Sequence, residues 1–198
     1  MPEFVYTIGH SNHPIEKFIE LLTAHNVTAV ADVRSHPYSR FNPHFNRERL
    51  RADLGTAGMA YAFLGRELGA RPEDASCYVK GKVGYELLAR TPLFREGLSR
   101  ILQGVESQRI ALMCAEKDPL TCHRAILVCR HLVAHGLGAR HILEDGRIES
   151  HDEALSRLLA EFGLNENDLF RSRDEAILEA YDRRGRQIAY GPRGADEP

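Results

Sequence analysis

Short apolar runs alternate along this chain with longer stretches whose apolar residues recur every three or four positions. Residues 4–8 read as a first strand that stops at Gly9. Behind it, Pro14 suits a first helical turn, and Glu16 favours the positive helix start. Ile15, Phe18, Ile19 and Leu22 then form one apolar stripe. Residues 27–31 are nearly all apolar and predict a strand covered on both faces, the habit of parallel sheets. A loop carrying Pro37 and Pro43 leads to a short helix over about 46–54 and a third strand over 59–63. Residues 65–85, rich in glycine, read as a long irregular loop. A helix capped by Thr91 follows, then a strand over 109–113, a helix started by Thr121 or Asp118 and ended by Gly136, and a last strand over 139–143. Ser150-His-Asp-Glu153 and Ser172-Arg-Asp-Glu175 are capping boxes that open two final helices.

This alternation predicts right-handed βαβ units, hence a single α/β domain with a mostly parallel sheet flanked by helices. The expected architecture is Rossmann-like and three-layered. Its core spans 4–145, a helical extension spans 150–185, the domain as a whole covers 1–190, and residues 191–198 form a flexible tail. The length of 198 residues, with 43% hydrophobic and 27% charged positions, fits one globular core. A net charge of −2 argues against a wholly basic nucleic-acid binder, though not against a local patch. The four cysteines have no CxxC pair and no regular spacing, so reduced thiols in a cytoplasmic protein are expected. No leader or apolar run of membrane length is evident, so no membrane association is expected.

Three polar clusters each follow a strand directly: Gly9-His10-Ser11, Asp32-Val33-Arg34 and Cys114-Ala115-Glu116. Parallel strands end at one edge, where ligands of open α/β sheets bind. Cys114 is the first choice for a nucleophile and Cys122, near the next helix start, the second. Asp32, Glu116 and His10 are candidates for proton transfer. Ser11, Arg34, Arg40, His123 and Arg124 are candidates for holding an anionic substrate. Asp32 and Arg34 share one face of their strand and are equally suited to pairing with each other. No cofactor and no metal are expected, because no zinc spacing is present and adjacent Cys122 and His123 would diverge on a helix. Cys129 reads as core, and His13 and His151 read as surface residues or caps.

Residues 34–51 set five arginines against one glutamate and interleave Tyr38, Phe41 and Phe45, a composition that suits phosphates and stacked bases. Three functions follow. The first is a cysteine-dependent hydrolase or transferase acting on a phosphate-bearing small molecule or nucleic acid. The second is a nucleotide- or nucleic-acid-binding module without catalysis. The third is a metal-dependent enzyme using Cys114, Cys122 and His123.

Thr7-Ile-Gly-His-Ser11, Asp32-Val-Arg34 with Pro37 and Ser39, Phe45-Asn46 and the run from Cys114 to Arg124 together resemble the DUF488 family of small, mostly bacterial proteins of unknown function. The resemblance spans roughly 5–145, and the 180–190 segment looks like the ending of longer members. It implies shared site positions and no particular reaction. A looser likeness, to rhodanese-like and cysteine-phosphatase domains, rests on the Asp-Val-Arg and on a cysteine between strand and helix. In those domains an arginine follows the cysteine by about six positions, whereas here Arg124 lies ten beyond Cys114 and two beyond Cys122.

Overall fold

The computed structural model describes residues 4–165 and 171–191. The sheet has six strands in the order β3-β2-β6-β1-β7-β8. These are β1 (Phe4–Gly9), β2 (Ala29–Asp32), β3 (Ala60–Phe63), β6 (Ile110–Cys114), β7 (Gly138–Ile142) and β8 (Ile148–Ser150). Only β8 runs antiparallel, forming a hairpin with β7. The chain leaves β1 for β2 and β3, returns to insert β6 between β2 and β1, then crosses to β7. The three strands that carry the polar clusters are therefore consecutive neighbours.

Side-chain alternation along β6 divides the core. Ala111 and Met113 face a cluster with Tyr6, Ile8, Phe18, Val30 and Leu50, under α1 (Ile15–Ala24) and α2 (Arg47–Thr56). Ile110, Leu112 and Cys114 face the opposite cluster with Val5, Ala31, Val33 and Phe94. That face is covered by α3 (Gly65–Leu68), α4 (Tyr85–Ala89), α5 (Pro92–Gly104) and α6 (Arg130–Ala134). Leu120, Ile126 and apolar residues of α7 (His151–Glu161) and α8 (Arg173–Ile188) make a third cluster. The result is a three-layer α/β domain with an appended helical pair, as the alternating pattern implied.

The local signals hold where short-range chemistry decides. Thr91 caps α5 through the Phe94 N–H at 3.2 Å, and both capping boxes are formed, at Ser150 with Glu153 and at Ser172 with Glu175. Neither Thr121 nor Asp118 starts the next helix, which follows His123 without a side-chain cap; Asp118 instead caps the separate 3₁₀ turn Pro119–Thr121 by accepting from the Leu120 N–H. The 65–85 loop is a correction. It holds α3, a hairpin of β4 (Tyr78–Val79) with β5 (Lys82–Val83), and the start of α4. Gly65 is needed there because a Cβ would lie 1.9 Å from the Arg34 carbonyl oxygen. Residues 192–198 of the expected tail lie outside the described residues. Among the described residues no helix is long and apolar enough to cross a membrane.

Candidate functional site

The ladder continues past the strand ends into the three clusters. His10 N–H donates to the Cys114 carbonyl at 2.8 Å, Ser11 N–H to Ala115 at 2.9 Å, and Val33 N–H to Met113 at 3.1 Å. The 115–118 loop folds onto the end of β1, and only glycine fits at position 9, where a Cβ would stand 1.9 Å from the Glu116 carbonyl oxygen.

One half of the site lies on the α1/α2 side. The Asp32 carboxylate accepts from the Arg34 backbone N–H, Nε and Nη2, and from the Tyr61 hydroxyl. Arg34 Nη2 also donates to the Phe45 carbonyl, and Nη1 lies 3.2 Å from His10 Nε2. The other His10 nitrogen, Nδ1, faces the Ser11 carbonyl at 2.8 Å, and the ring stacks on Phe45. Burial and the Arg34 charge push His10 down to about 4, so it is neutral at pH 7, with Nδ1 donating and Nε2 accepting. Both polar atoms of the His10 ring are thus committed. Asp32 and His10, expected as proton-transfer groups, instead fix the Arg34 guanidinium, which keeps one Nη1 hydrogen for a ligand.

The other half lies on the α5/α6 side. Cys122 precedes the helix in extended conformation, at φ −133° and ψ 139°. A π-helical stretch, Arg124–Cys129, then runs into α6. Cys122 and His123 therefore do not diverge as adjacent helical residues would. His123 Nδ1 lies 3.8 Å from Cys114 Sγ and 3.9 Å from Cys122 Sγ. Its Nε2–H donates to the Val33 carbonyl at 3.0 Å, so Nδ1 faces both sulfurs, accepting from a thiol when the ring is neutral and donating to a thiolate when it is protonated. The three ligand atoms lie within 4.8 Å of one another. Glu116 Oε2 is 3.0 Å from Cys114 Sγ.

The two thiols differ in surroundings. Cys114 is pushed well up, first by its hydrogen bond with Cys122 and then by burial. Burial would also raise Cys122, but the Cys114 hydrogen bond, the Arg124 charge and His123 together bring it well below the usual thiol range. Its sulfur also accepts from the Arg124 N–H at 3.4 Å, at the positive start of the helix. Cys122, the second choice from sequence, is thus the sulfur whose thiolate form these surroundings favour. His123 is lowered by burial yet raised overall by the Cys122 sulfur.

Arg124 departs from its expected place. It is wholly buried, and its guanidinium donates to the Glu116 and Lys117 carbonyls and to Thr7 Oγ1, bracing the loop from beneath instead of facing a ligand. Arg40 is exposed and lines neither part of the cleft. Ser11 lines the cleft and adopts φ +48°, and its hydroxyl meets Asn12 and not the helix start. Cys129 is core, as expected, whereas His13 and His151 are buried. His151 belongs to a chain of buried hydrogen bonds, Thr7–His141–His151–Tyr181, that sequence reading missed. Its partners are 134, 10 and 30 positions apart, so no local signal reveals it.

The cleft has two adjoining chambers of about 320 and 450 Å³ that share Arg34, His36, Tyr38, Ala115 and Glu116 as lining residues. His123, Arg71 and Tyr190 line the first, and His10, Ser11 and Lys117 the second. A larger groove of about 640 Å³ lies between α4, α5 and α6 beside Arg90, Arg95, Arg130 and His131. Neither this groove nor the cleft has a cysteine in its lining, but only the cleft reaches the thiols, through His123, whose Nδ1 faces both sulfurs.

A family model described as "Domain of unknown function DUF488" matches residues 14–130, which include Asp32–Arg34 and the whole run from Cys114 to Arg124. No curated protein and no solved structure matches the chain significantly. The likeness to rhodanese-like domains finds no support in these comparisons, and burial of Arg124 removes its anion-facing arginine. With more than half its length matched, including Asp32, Arg34, Cys114, Cys122 and His123, the chain belongs to the DUF488 family.

Proposed function

We propose that the protein is an enzyme acting on a small phosphate-bearing substrate, of nucleotide type, with the Cys114–Cys122–His123 cluster as its reactive centre. The observation that carries this reading is the convergence of two sulfurs and one imidazole nitrogen within 4.8 Å beneath a cleft walled by basic groups. Arg34, His36, Arg71 and Lys117 line that cleft, and Glu116 is the one acid among its lining residues. Arg34 is held rigid by Asp32 and His10, so little entropy is lost when its remaining N–H meets an anion. Tyr38 and Phe41, 58% and 93% exposed on the same loop, offer flat faces for a base. All four cysteines are free, which suits a reducing, cytoplasmic setting.

The test is turnover of a panel of nucleotides and phosphate esters by the wild type and by Cys122→Ser. Expected is hydrolysis or transfer of at least one member, reduced by roughly 100-fold or more in the variant, since losing a reactive group commonly costs that much. Undiminished turnover in the variant would contradict the assignment. Nucleotide binding without any turnover would instead make the chain a binding module.

A further inference from the structure

We propose that Cys114, Cys122 and His123 form a three-ligand site for a zinc-class divalent ion whose fourth position opens toward the cleft. The site does not require the enzymatic reading; only its chemical consequence rests on it.

The spacing is that of a ligand set. A tetrahedral zinc with sulfur bonds of ~2.3 Å and nitrogen bonds of ~2.0 Å holds its ligand atoms roughly 3.5–3.8 Å apart. The His123 nitrogen stands 3.8 and 3.9 Å from the two sulfurs, and all three atoms fall within 4.8 Å. Small side-chain movements would close the set onto one ion.

The second shell is in place as well. A metal-bound imidazole ordinarily donates its other N–H to a fixed oxygen, which orients the ring. His123 does this through Nε2 to the Val33 carbonyl at 3.0 Å, just past the end of β2, where the Val33 N–H is itself held by the Met113 carbonyl. Cys122 Sγ accepts the Arg124 N–H. Two thiolates and one divalent cation sum to zero charge, which removes the cost of burying anionic sulfur in the core. Thiolate and imidazole donors select zinc-like ions over magnesium or calcium, which take oxygen.

Glu116 is not a member of the mutually close set, though its carboxylate touches Cys114 Sγ at 3.0 Å and lines the cleft. Three protein ligands with an open position mark catalytic zinc sites, and structural sites close all four. A Cys₂His site with a non-ligating glutamate alongside is the arrangement of hydrolytic zinc deaminases. In the same way, a water at the fourth position would pass a proton to Glu116, the hydroxide would attack the electrophilic centre of the substrate, and Glu116 would return the proton to the leaving group. The class of reaction is then hydrolysis, with no oxidant or reductant consumed.

The experiment uses the full chain, stripped with chelator and titrated with Co²⁺ as the probe and with Zn²⁺ as competitor. Expected is one ion per chain, intense visible bands of tetrahedral cobalt, and a near-ultraviolet sulfur-to-cobalt band, all displaced by zinc. Cys114→Ser and Cys122→Ser are each expected to weaken binding by at least ~100-fold, more than second-shell changes do, while Cys77→Ser leaves the spectrum unchanged. Circular dichroism of each metal-free variant establishes that it is folded. A folded wild type that takes up neither ion, or cobalt bands without the sulfur signature, would overturn the proposal. Ion binding without turnover would sink the enzymatic reading alone. Full turnover by metal-free protein would sink the metal site's role alone.

Discussion

Replacing Arg124 by methionine is expected to lower the unfolding temperature by about 10 °C. The side chain is wholly buried, and it satisfies the carbonyls of Glu116 and Lys117 as well as Thr7 Oγ1. Methionine restores much of the volume and none of the donors. The two half-buried carbonyls would then lose their charge-assisted donors, at roughly 1.5–3 kcal/mol each. A total of about 3–5 kcal/mol is reasonable for such a break, and in a chain of this size each kcal/mol is worth ~2–4 °C. Differential scanning calorimetry reads the shift directly. An unfolding temperature within a degree or two of wild type would mean that Arg124 does not brace the loop, and the anion-facing role would return.

The second large effect is acid destabilisation well above the carboxylate range. His10 is pushed down to about 4, first by burial and then by Arg34. His151 is pushed down to about 4 by burial, and His141, hydrogen-bonded to it, is pushed well down too. In the unfolded chain these imidazoles protonate near pH ~6.5, so below that pH the unfolded state binds more protons than the folded one. Stability is therefore full above about pH 6.5 and is lost as pH falls from there toward 4. Each group shifted to about 4 contributes up to ~3 kcal/mol across that window. Urea unfolding at intervals between pH 7.5 and 4.5 is expected to show a midpoint that falls continuously. A midpoint that stays flat to pH 4.5 would show that the buried histidines take up protons in the folded protein as readily as in the unfolded chain.

Much of this architecture was legible because short-range chemistry fixes it. The runs at 4–8 and 109–113 are too apolar to be anything but covered strands, and the Ser150 and Ser172 boxes start their helices by hydrogen bonds within three residues. That the three polar clusters share one edge followed from the parallel direction of their strands; that those strands are neighbours, in the order β2-β6-β1, is seen only in the fold. The 65–85 segment failed because its elements are two to five residues long, too short to show a period, and because its glycines read as flexibility. At Gly65 the glycine instead records a close approach to the Arg34 carbonyl.

Within the site, residue positions were legible and their roles were not. Asp32 and Arg34 were seen to share a face, but only the fold shows that both carboxylate oxygens are spent on Arg34 and Tyr61. The convergence of Cys122 with His123 was hidden because sequence places both on a helix, whereas Cys122 is extended. Arg124 carried one usable signal: it opens the apolar run 125–129, where a charged side chain requires buried partners.

The account depends most on the two half-sites forming one anion-binding cleft. The direct measurement is a titration with inorganic phosphate followed by nuclear magnetic resonance of the histidine and arginine side chains. The result expected is that the Arg34, His36 and His123 signals move together with a single dissociation constant, which weakens as salt is added. Shifts confined to His131 and Arg130, in the larger groove between α4, α5 and α6, or no shifts at all, would contradict it.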